Sequence, residues 1–402
     1  VKRRTFLKSI ATLIGSSAFA RYFPAFAQQP PGFGQRFFIP PTTLHTTEDS
    51  ATIYYRLASA SDNGRLIVSQ DGEDIQRISL PTDHPRQSIT VTGLEPATRY
   101  TYRLEIDEQV TLPYLNFEES WQPLSFRTQP YDWPIRFVAL GDSGFGENAT
   151  YQLGDLMAAR EPDFFIHLGD MVYHSYEYNN DLWYNWALKY YRPFGELLRQ
   201  MPHYPTVGNH DREGTTLLDG WSFYYWAFPP LNDEEAFDGR RQWYSFSVND
   251  VQFISLNTQC YYSEPGRAQQ EKWLDERLAD ERFRTNIIFF HIPLWTSSYT
   301  HQFDGIYAQE ALAPRFAAAA DRIGLIMHGH SHLYEHLIRD GVHHITSGGG
   351  SLAIYETGES IDGSQTAISK MHYIVGEIDQ GSIQIMAYDV NDTEIDRATW
   401  SI

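Results

Sequence analysis

Five short blocks follow apolar, strand-like runs in a fixed order, and together they restrict the fold more than any other feature of the chain. Gly141-Asp142-Ser143-Gly144 comes after residues 135–140, and Gly169-Asp170-Met171-Val172-Tyr173 after residues 164–168. Gly208-Asn209-His210-Asp211 follows residues 204–207, His291 follows residues 287–290, and Gly329-His330-Ser331-His332 follows residues 323–327. In open α/β sheets, ligand-binding loops gather at the carboxyl ends of the strands, so loops from distant parts of a chain can converge on one rim. Carboxylates, an amide, a phenol and imidazoles at such positions suit two adjacent hard or borderline metal ions. Each block alone is weak: Gly-Asp is a common turn, Asn-His can cap a helix, and a lone His after a strand is ordinarily structural. Their joint order is what carries the signal.

The surrounding pattern supports that architecture. Over residues 135–395, strands alternate with helical stretches near 151–160, 181–199, 269–280 and 308–320. Further strands are expected at 252–256, 287–290, 323–327, 373–378 and 383–390. This texture predicts an α/β sandwich of two sheets flanked by helices. Residues 33–128 differ, with short strands at 52–57, 65–69 and 88–92 and turns at Asp62-Asn63-Gly64 and Asp71-Gly72. Gly93-Leu94-Glu95-Pro96-Ala97-Thr98-Arg99-Tyr100 resembles the tyrosine corner of a fibronectin type III-like β-sandwich. That region contains no ligand cluster and reads as a scaffold. Between the two, Gln129-Pro130-Tyr131-Asp132-Trp133-Pro134 reads as a linker, its prolines breaking regular structure.

Charge narrows the partners. The 402 residues carry a formal net charge of −20, which argues against nucleic acid and against anionic membrane surfaces. A phosphate site in such a chain must create its own local positive field, as bound metal ions do. Lys2-Arg3-Arg4-Thr5-Phe6-Leu7-Lys8, a mildly apolar stretch over 9–20 and Ala25-Phe26-Ala27 resemble, in that order, a twin-arginine signal peptide of residues 1–27. Its removal takes away Lys2, Arg3, Arg4, Lys8 and Arg21 and no acid, so −20 becomes −25. The expected location is outside the cytoplasm, periplasmic or extracellular. No later run of apolar residues is long enough for stable membrane insertion. A single cysteine, Cys260, excludes an intrachain disulfide, Cys-rich zinc sites and iron–sulfur clusters. The pattern does not fix an oligomeric state.

The ladder of blocks resembles the metallophosphoesterase superfamily, and within it the purple acid phosphatases. The general superfamily has Asp-x-His in the first block; here Gly144 stands in place of that His, and Tyr173 follows Asp170 by three residues. That exchange, with Trp243-Tyr244-Ser245-Phe246 and His330-Ser331-His332-Leu333-Tyr334-Glu335, resembles the purple acid phosphatases, and the fibronectin-like region in front resembles their two-domain, plant-like members. The resemblance implies that Asp142, Asp170, Tyr173 and His332 bind Fe(III). It implies that Asp170, Asn209, His291 and His330 bind a divalent ion, Fe(II), Zn or Mn, with Asp170 bridging. It implies His210 as the His contacting phosphate or leaving group, Asp211 as the group orienting it, and His301 as a substrate-facing His able to act as general acid. The implied function is hydrolysis of small-molecule phosphate monoesters by a hydroxide held on the metal pair. Alternatives are a phosphodiesterase or nucleotide phosphohydrolase on the same fold, or a non-catalytic binding protein. Two aromatic-rich stretches, 173–191 and 221–228, are expected to be mostly core, with a substrate-selecting wall as the alternative.

Overall fold

The computed structural model describes residues 37–57, 63–80, 86–107, 109–111, 124–174, 182–212, 223–230, 236–237, 240–262 and 265–402. The expected signal peptide lies outside the described residues.

The first part is all β. Phe37–Thr46, Ser50–Leu57 and Arg86–Thr92 form one antiparallel sheet. Glu73–Ser79, Gly64–Gln70, Arg99–Ile106 and Gln109–Thr111 form a second, with Leu124–Arg127 also paired to Arg99–Ile106. Strict alternation along Arg99–Ile106 buries Tyr100, Tyr102, Leu104 and Ile106. These meet Ile53, Tyr55 and Val91 of the other sheet in one core. The Tyr100 hydroxyl accepts the Glu95 N–H at 2.8 Å, the bond a tyrosine corner requires. Phe37–Thr46 is a strand the sequence pattern did not suggest. Its Pro40 and Pro41 donate no ladder hydrogen bonds, and it sits at a sheet edge with register shifts around them.

The second part stacks two sheets. One has six strands in the order His203–Pro205, Phe164–His167, Ile135–Leu140, His372–Ile378, Ser382–Asp389, Glu394–Ser401. The other has seven, in the order Tyr244–Val248, Val251–Ser255, Thr285–Phe290, Ile323–His328, Val342–Ser347, Tyr334–Arg339, Ser364–Ile368. The ligand-bearing strands pair in parallel, and those two of the second sheet are buried along their whole length. This is why they read as continuous apolar runs. Phe137, Phe164, Phe253, Phe289, Met327 and Ile374 fill the space between the sheets. Each such fully buried side chain contributes roughly 1.5–3 kcal/mol.

Helices cover the outer faces. Arg267–Leu278 buries Gln270, Trp273, Leu274 and Leu278 against the seven-stranded sheet, beside Ile306–Ala318. Asn148–Ala158 and Gly195–Leu198 cover the six-stranded sheet. The long helix expected over 181–199 is broken instead. Leu182–Trp186 runs into a π turn, Ala187–Tyr191, and the helix resumes only at Gly195–Leu198. Pro193 explains the break, since its ring clashes with the carbonyl four residues back and it donates no hydrogen bond.

The two parts are clamped together. Gln129 Nε2 donates to Thr46 O at 2.6 Å and to Ser247 O at 3.0 Å. The Tyr54 hydroxyl donates to Trp226 O, and the Arg56 guanidinium lies 3.5 Å over the Trp226 ring.

Candidate metal centre

Oxygen and nitrogen donors arrive from different sheets. Loops leaving the six-stranded sheet supply Asp142, Asp170, Tyr173 and Asn209, after Ile135–Leu140, Phe164–His167 and His203–Pro205. Loops leaving the seven-stranded sheet supply His291, His330 and His332, after Thr285–Phe290 and Ile323–His328. The structure thus brings all seven expected donors together, and every one except Asn209 is buried. Asp142, Asp170 and His330 have left-handed backbone, with φ of 61°, 55° and 64°. Asp and His tolerate this region better than most residues, at a cost of roughly 1–2 kcal/mol each. The gain is a sharp turn at the strand end that aims each side chain across the seam between the sheets.

The donors form two clusters. In the first, the Tyr173 hydroxyl donates to Asp142 Oδ1 at 3.0 Å and lies 2.9 Å from His332 Nε2, itself 3.3 Å from the same carboxylate oxygen. In the second, Asn209 Oδ1 is 3.1 Å from both His291 Nε2 and His330 Nδ1, and His291 Nε2 is 3.3 Å from Asp170 Oδ2. Asp170 acts electrostatically on both clusters, through Tyr173 and through His291. His330 and His332 therefore serve different clusters, not one as a same-face pair on an extended segment would. The turn at His330 separates them.

Outer hydrogen bonds set which nitrogen faces inward. His291 Nδ1 is 2.8 Å from Leu168 O, and His332 Nδ1 is 2.5 Å from Ala353 O. Each carbonyl holds the N–H outward and leaves the Nε2 lone pair for the cluster. His330 is reversed: Nδ1 faces Asn209 while Nε2 lies 3.0 Å from Asp304 Oδ2.

The electrostatics call for cations. Burial, then the charges of Asp142 and Asp170, push the Tyr173 hydroxyl well above the ordinary phenol range. Burial disfavours a proton on His291, yet the charge and hydrogen bond of Asp170 raise it to about 9. Among the described residues, no Lys or Arg bonds to any of the seven donor groups. Two buried carboxylates, a phenol, an amide and three imidazoles without such a partner fit a pair of metal ions.

Gly144 has a steric explanation. A Cβ there would stand 2.5 Å from backbone atoms of Met171 and Val172. The bare backbone lets the Asp170–Tyr173 loop close in, and Tyr173 N–H donates to Gly144 O at 2.9 Å. Phe145 then stacks on the Tyr173 ring at 4.1 Å.

Residues 135–334 match the calcineurin-like phosphoesterase family. The chain carries a calcineurin-like metallophosphoesterase domain. Among curated proteins it is similar to purple acid phosphatase 22 of Arabidopsis thaliana, 25% identical over 310 residues, covering 70% of this chain and 68% of that one. The probable purple acid phosphatase 20 of the same plant is 28% identical over 265 residues, covering 62% of this chain and 55% of that one. Among solved structures, the fold is similar to purple acid phosphatase PPD1 from yellow lupin (Lupinus luteus) seeds. The TM-score is 0.68 at 15% identity, covering 90% of this chain and 74% of that one. PhoD gives 0.66 at 14% identity, covering 93% and 94%. Domain and relatives support a metal-dependent phosphoesterase and imply a binuclear metal centre.

Within the phosphoesterase domain, His210 lies beside the first cluster. Its N–H donates to Asp170 Oδ1 at 2.8 Å, and its ring centroid is 4.4 Å from that of Tyr173. Asp211 ties two ligand loops together. Its oxygens accept N–H groups from Gly208 at 2.8 Å, Asp170 at 3.0 Å, Met171 at 2.7 Å and Val172 at 3.3 Å. Those bonds make it a positioning residue for the Asp170 loop more than for the His210 ring. His301 is exposed at the outer edge, its ring 4.9 Å from that of His330. The turn over 347–351 borders the centre, with Ser347 O accepting Gly141 N–H at 2.8 Å.

Sequence reading missed Asp304, whose Oδ2 lies 3.0 Å from His330 Nε2 and 2.7 Å from His301 Nδ1. Its only signal was the spacing from His301, which is too common to single out. Asp304→Ala is expected to weaken divalent-ion binding by about 10–100-fold, as loss of a ligand's outer partner does. Competition with a chelator measures this, and unchanged affinity would remove Asp304 from the centre.

His328 and His336 lie outside the ligand set. They contact His344 and His343 at 3.1 and 2.9 Å. The described parts of the aromatic-rich stretches are mostly core: Trp186, Tyr190, Tyr191, Phe223, Tyr224 and Phe228 are buried in one cluster. Trp221 lies outside the described residues. Cys260 is buried, and its thiol donates to Asn257 O at 3.1 Å.

Proposed function

We propose that the chain is a purple acid phosphatase-like hydrolase of small-molecule phosphate monoesters. The observation that carries this reading is the Tyr173 hydroxyl, within 3.0 Å of Asp142 and His332, on a loop that Gly144 alone lets approach. In this reading Asp142, Asp170, Tyr173 and His332 hold Fe(III). Asp170, Asn209, His291 and His330 hold Fe(II), Zn or Mn. A phenolate with two carboxylates favours the higher oxidation state of iron, and imidazoles with an amide suit a divalent ion. When bound, such a pair polarises a phosphoryl oxygen and acidifies water.

The protein's own groups do the rest. His210, beside Tyr173, faces the phosphate, and Asp211 keeps its loop in register. His301, held by Asp304, would protonate the leaving oxygen. The Tyr100 bond to Glu95 supports a fibronectin type III-like sandwich over residues 33–128, ahead of a catalytic domain over 135–395. The basic and apolar order of residues 1–27 supports twin-arginine export to the periplasm or beyond. Among the described residues no helix is long and apolar enough to cross a membrane.

Purified protein loaded with iron and zinc, or with iron and manganese, tests the reading. It is expected to hydrolyse para-nitrophenyl phosphate faster than its bis-ester, with two metals per chain. Faster diester cleavage would move the assignment to a phosphodiesterase on this fold.

A further inference from the structure

Six of the eight large hydrophobic side chains exposed among the described residues gather at the mouth of the metal centre. They are Tyr299 (79% exposed), Phe303 (76%), Leu352 (63%), Tyr307 (55%), Ile306 (46%) and Tyr262 (38%). Only Ile75 and Ile402 lie elsewhere. Singly exposed apolar residues are ordinary, but a cluster beside a reactive site marks a surface that expects an apolar occupant.

Five of the six are tied through neighbouring residues to the groups that surround the centre. Phe303 precedes Asp304, which holds His330 Nε2 at 3.0 Å. Tyr299 N–H donates to Glu356 O at 3.0 Å, next to Tyr355, whose ring stacks on His332 at 4.1 Å. Leu352 precedes Ala353, whose carbonyl lies 2.5 Å from His332 Nδ1. Tyr307 packs edge-on to Tyr262 at 5.7 Å, and the Tyr262 hydroxyl donates to Asp304 O. The apolar surface is therefore continuous with the outer edge of the centre where a leaving group must lie.

Charge fixes the kind of occupant. Segments 291–314 and 347–369, which carry most of this rim, contain no Lys or Arg and hold Asp304, Glu310, Glu356, Glu359 and Asp362. A substrate with several phosphates, or a carboxylated one, would meet net repulsion here, whereas a neutral ring would bury apolar area.

We propose that Tyr299, Phe303 and Leu352 form a leaving-group subsite that selects phosphate esters of neutral, aromatic alcohols over polar or polyanionic ones. This rests on the phosphatase reading above and adds its substrate class. The occupant is the organic part of a small-molecule ester. A lipid surface is disfavoured by the net charge of −20, which repels anionic headgroups.

Inhibition constants of non-hydrolysable phosphonates test this without interference from leaving-group reactivity. The metal-loaded full chain is expected to bind naphthalen-2-ylmethylphosphonate about tenfold or more tighter than methylphosphonate, as a ring contact in such a site provides. Phe303→Ser with Tyr299→Ser is expected to shrink that ratio toward one, while Ile75→Ser, remote from the centre, leaves it unchanged. No preference in the parent protein, or a preference that survives the double substitution, overturns the subsite while hydrolysis of simple esters keeps the phosphatase reading. Sedimentation with phosphatidylcholine vesicles that the double substitution abolishes also overturns it, in favour of a lipid surface. A loaded protein that hydrolyses no ester takes both readings down.

Discussion

Replacing His291 by alanine is expected to lower kcat/KM for an aryl phosphate by about a thousandfold, the loss of about 4 kcal/mol of transition-state stabilisation. His291 Nε2 lies 3.1 Å from Asn209 Oδ1 and 3.3 Å from Asp170 Oδ2, so it contributes to the second cluster directly. Its other nitrogen faces Leu168 O at 2.8 Å, which keeps the ring from turning away. Alanine removes the donor and leaves Asp170 without its nearest imidazole. The buried void has its own cost, so metal content and thermal melting should be followed beside the kinetics. Asn209→Ala is the control, because that side chain is only half-buried and its truncation opens a smaller void. If both proteins fold and either keeps full activity, the two-metal reading is refuted.

Tyr173→Phe is expected to abolish the visible absorption of iron-loaded protein. A phenolate bound to ferric iron absorbs by charge transfer, whereas carboxylates and imidazoles supply no comparable band. The substitution removes one oxygen and keeps the ring that stacks on Phe145 at 4.1 Å, so the loop should hold its place. Burial and two nearby carboxylates push the Tyr173 hydroxyl far up, so it ionises only against a strong positive charge. Colour that persists in the phenylalanine protein would show that another group binds the iron. Iron-loaded parent protein without colour would count against the Tyr173 assignment.

Much of the centre was legible because its signals are local. Asp142, Asp170, Asn209, His291 and the His330–His332 pair each sit within a few residues of a strand end, where turn residues and apolar runs adjoin in sequence. Local reading also explains what was missed. Asp304 meets His330 across 26 residues and His301 across three, and neither separation has a periodicity. The edge strand Phe37–Thr46 was hidden by its prolines, which an edge tolerates. The broken helix after Asp181 was readable in principle, since Pro193 stands where a helix cannot continue. The aromatic-rich stretches drew attention through composition, yet their described parts mostly fill the core. Most of the exposed rim comes from residues 299–307, with Tyr262 and Leu352 added from elsewhere, and exposure is a property no linear pattern carries.

The division of donors between the two sheets has a consequence for assembly. A chain in which only the six-stranded layer has formed offers oxygen alone, from Asp142, Asp170, Tyr173 and Asn209. One in which only the seven-stranded layer has formed offers the imidazoles of His291, His330 and His332, with Asp304 beside His330. Oxygen-only sites attract magnesium or calcium, and imidazole-only sites attract copper or nickel. On the proposed reading, the mixed set that suits iron with zinc or manganese exists only after the layers have stacked. On that reading, the choice of metal falls to the stacked protein and not to either layer alone.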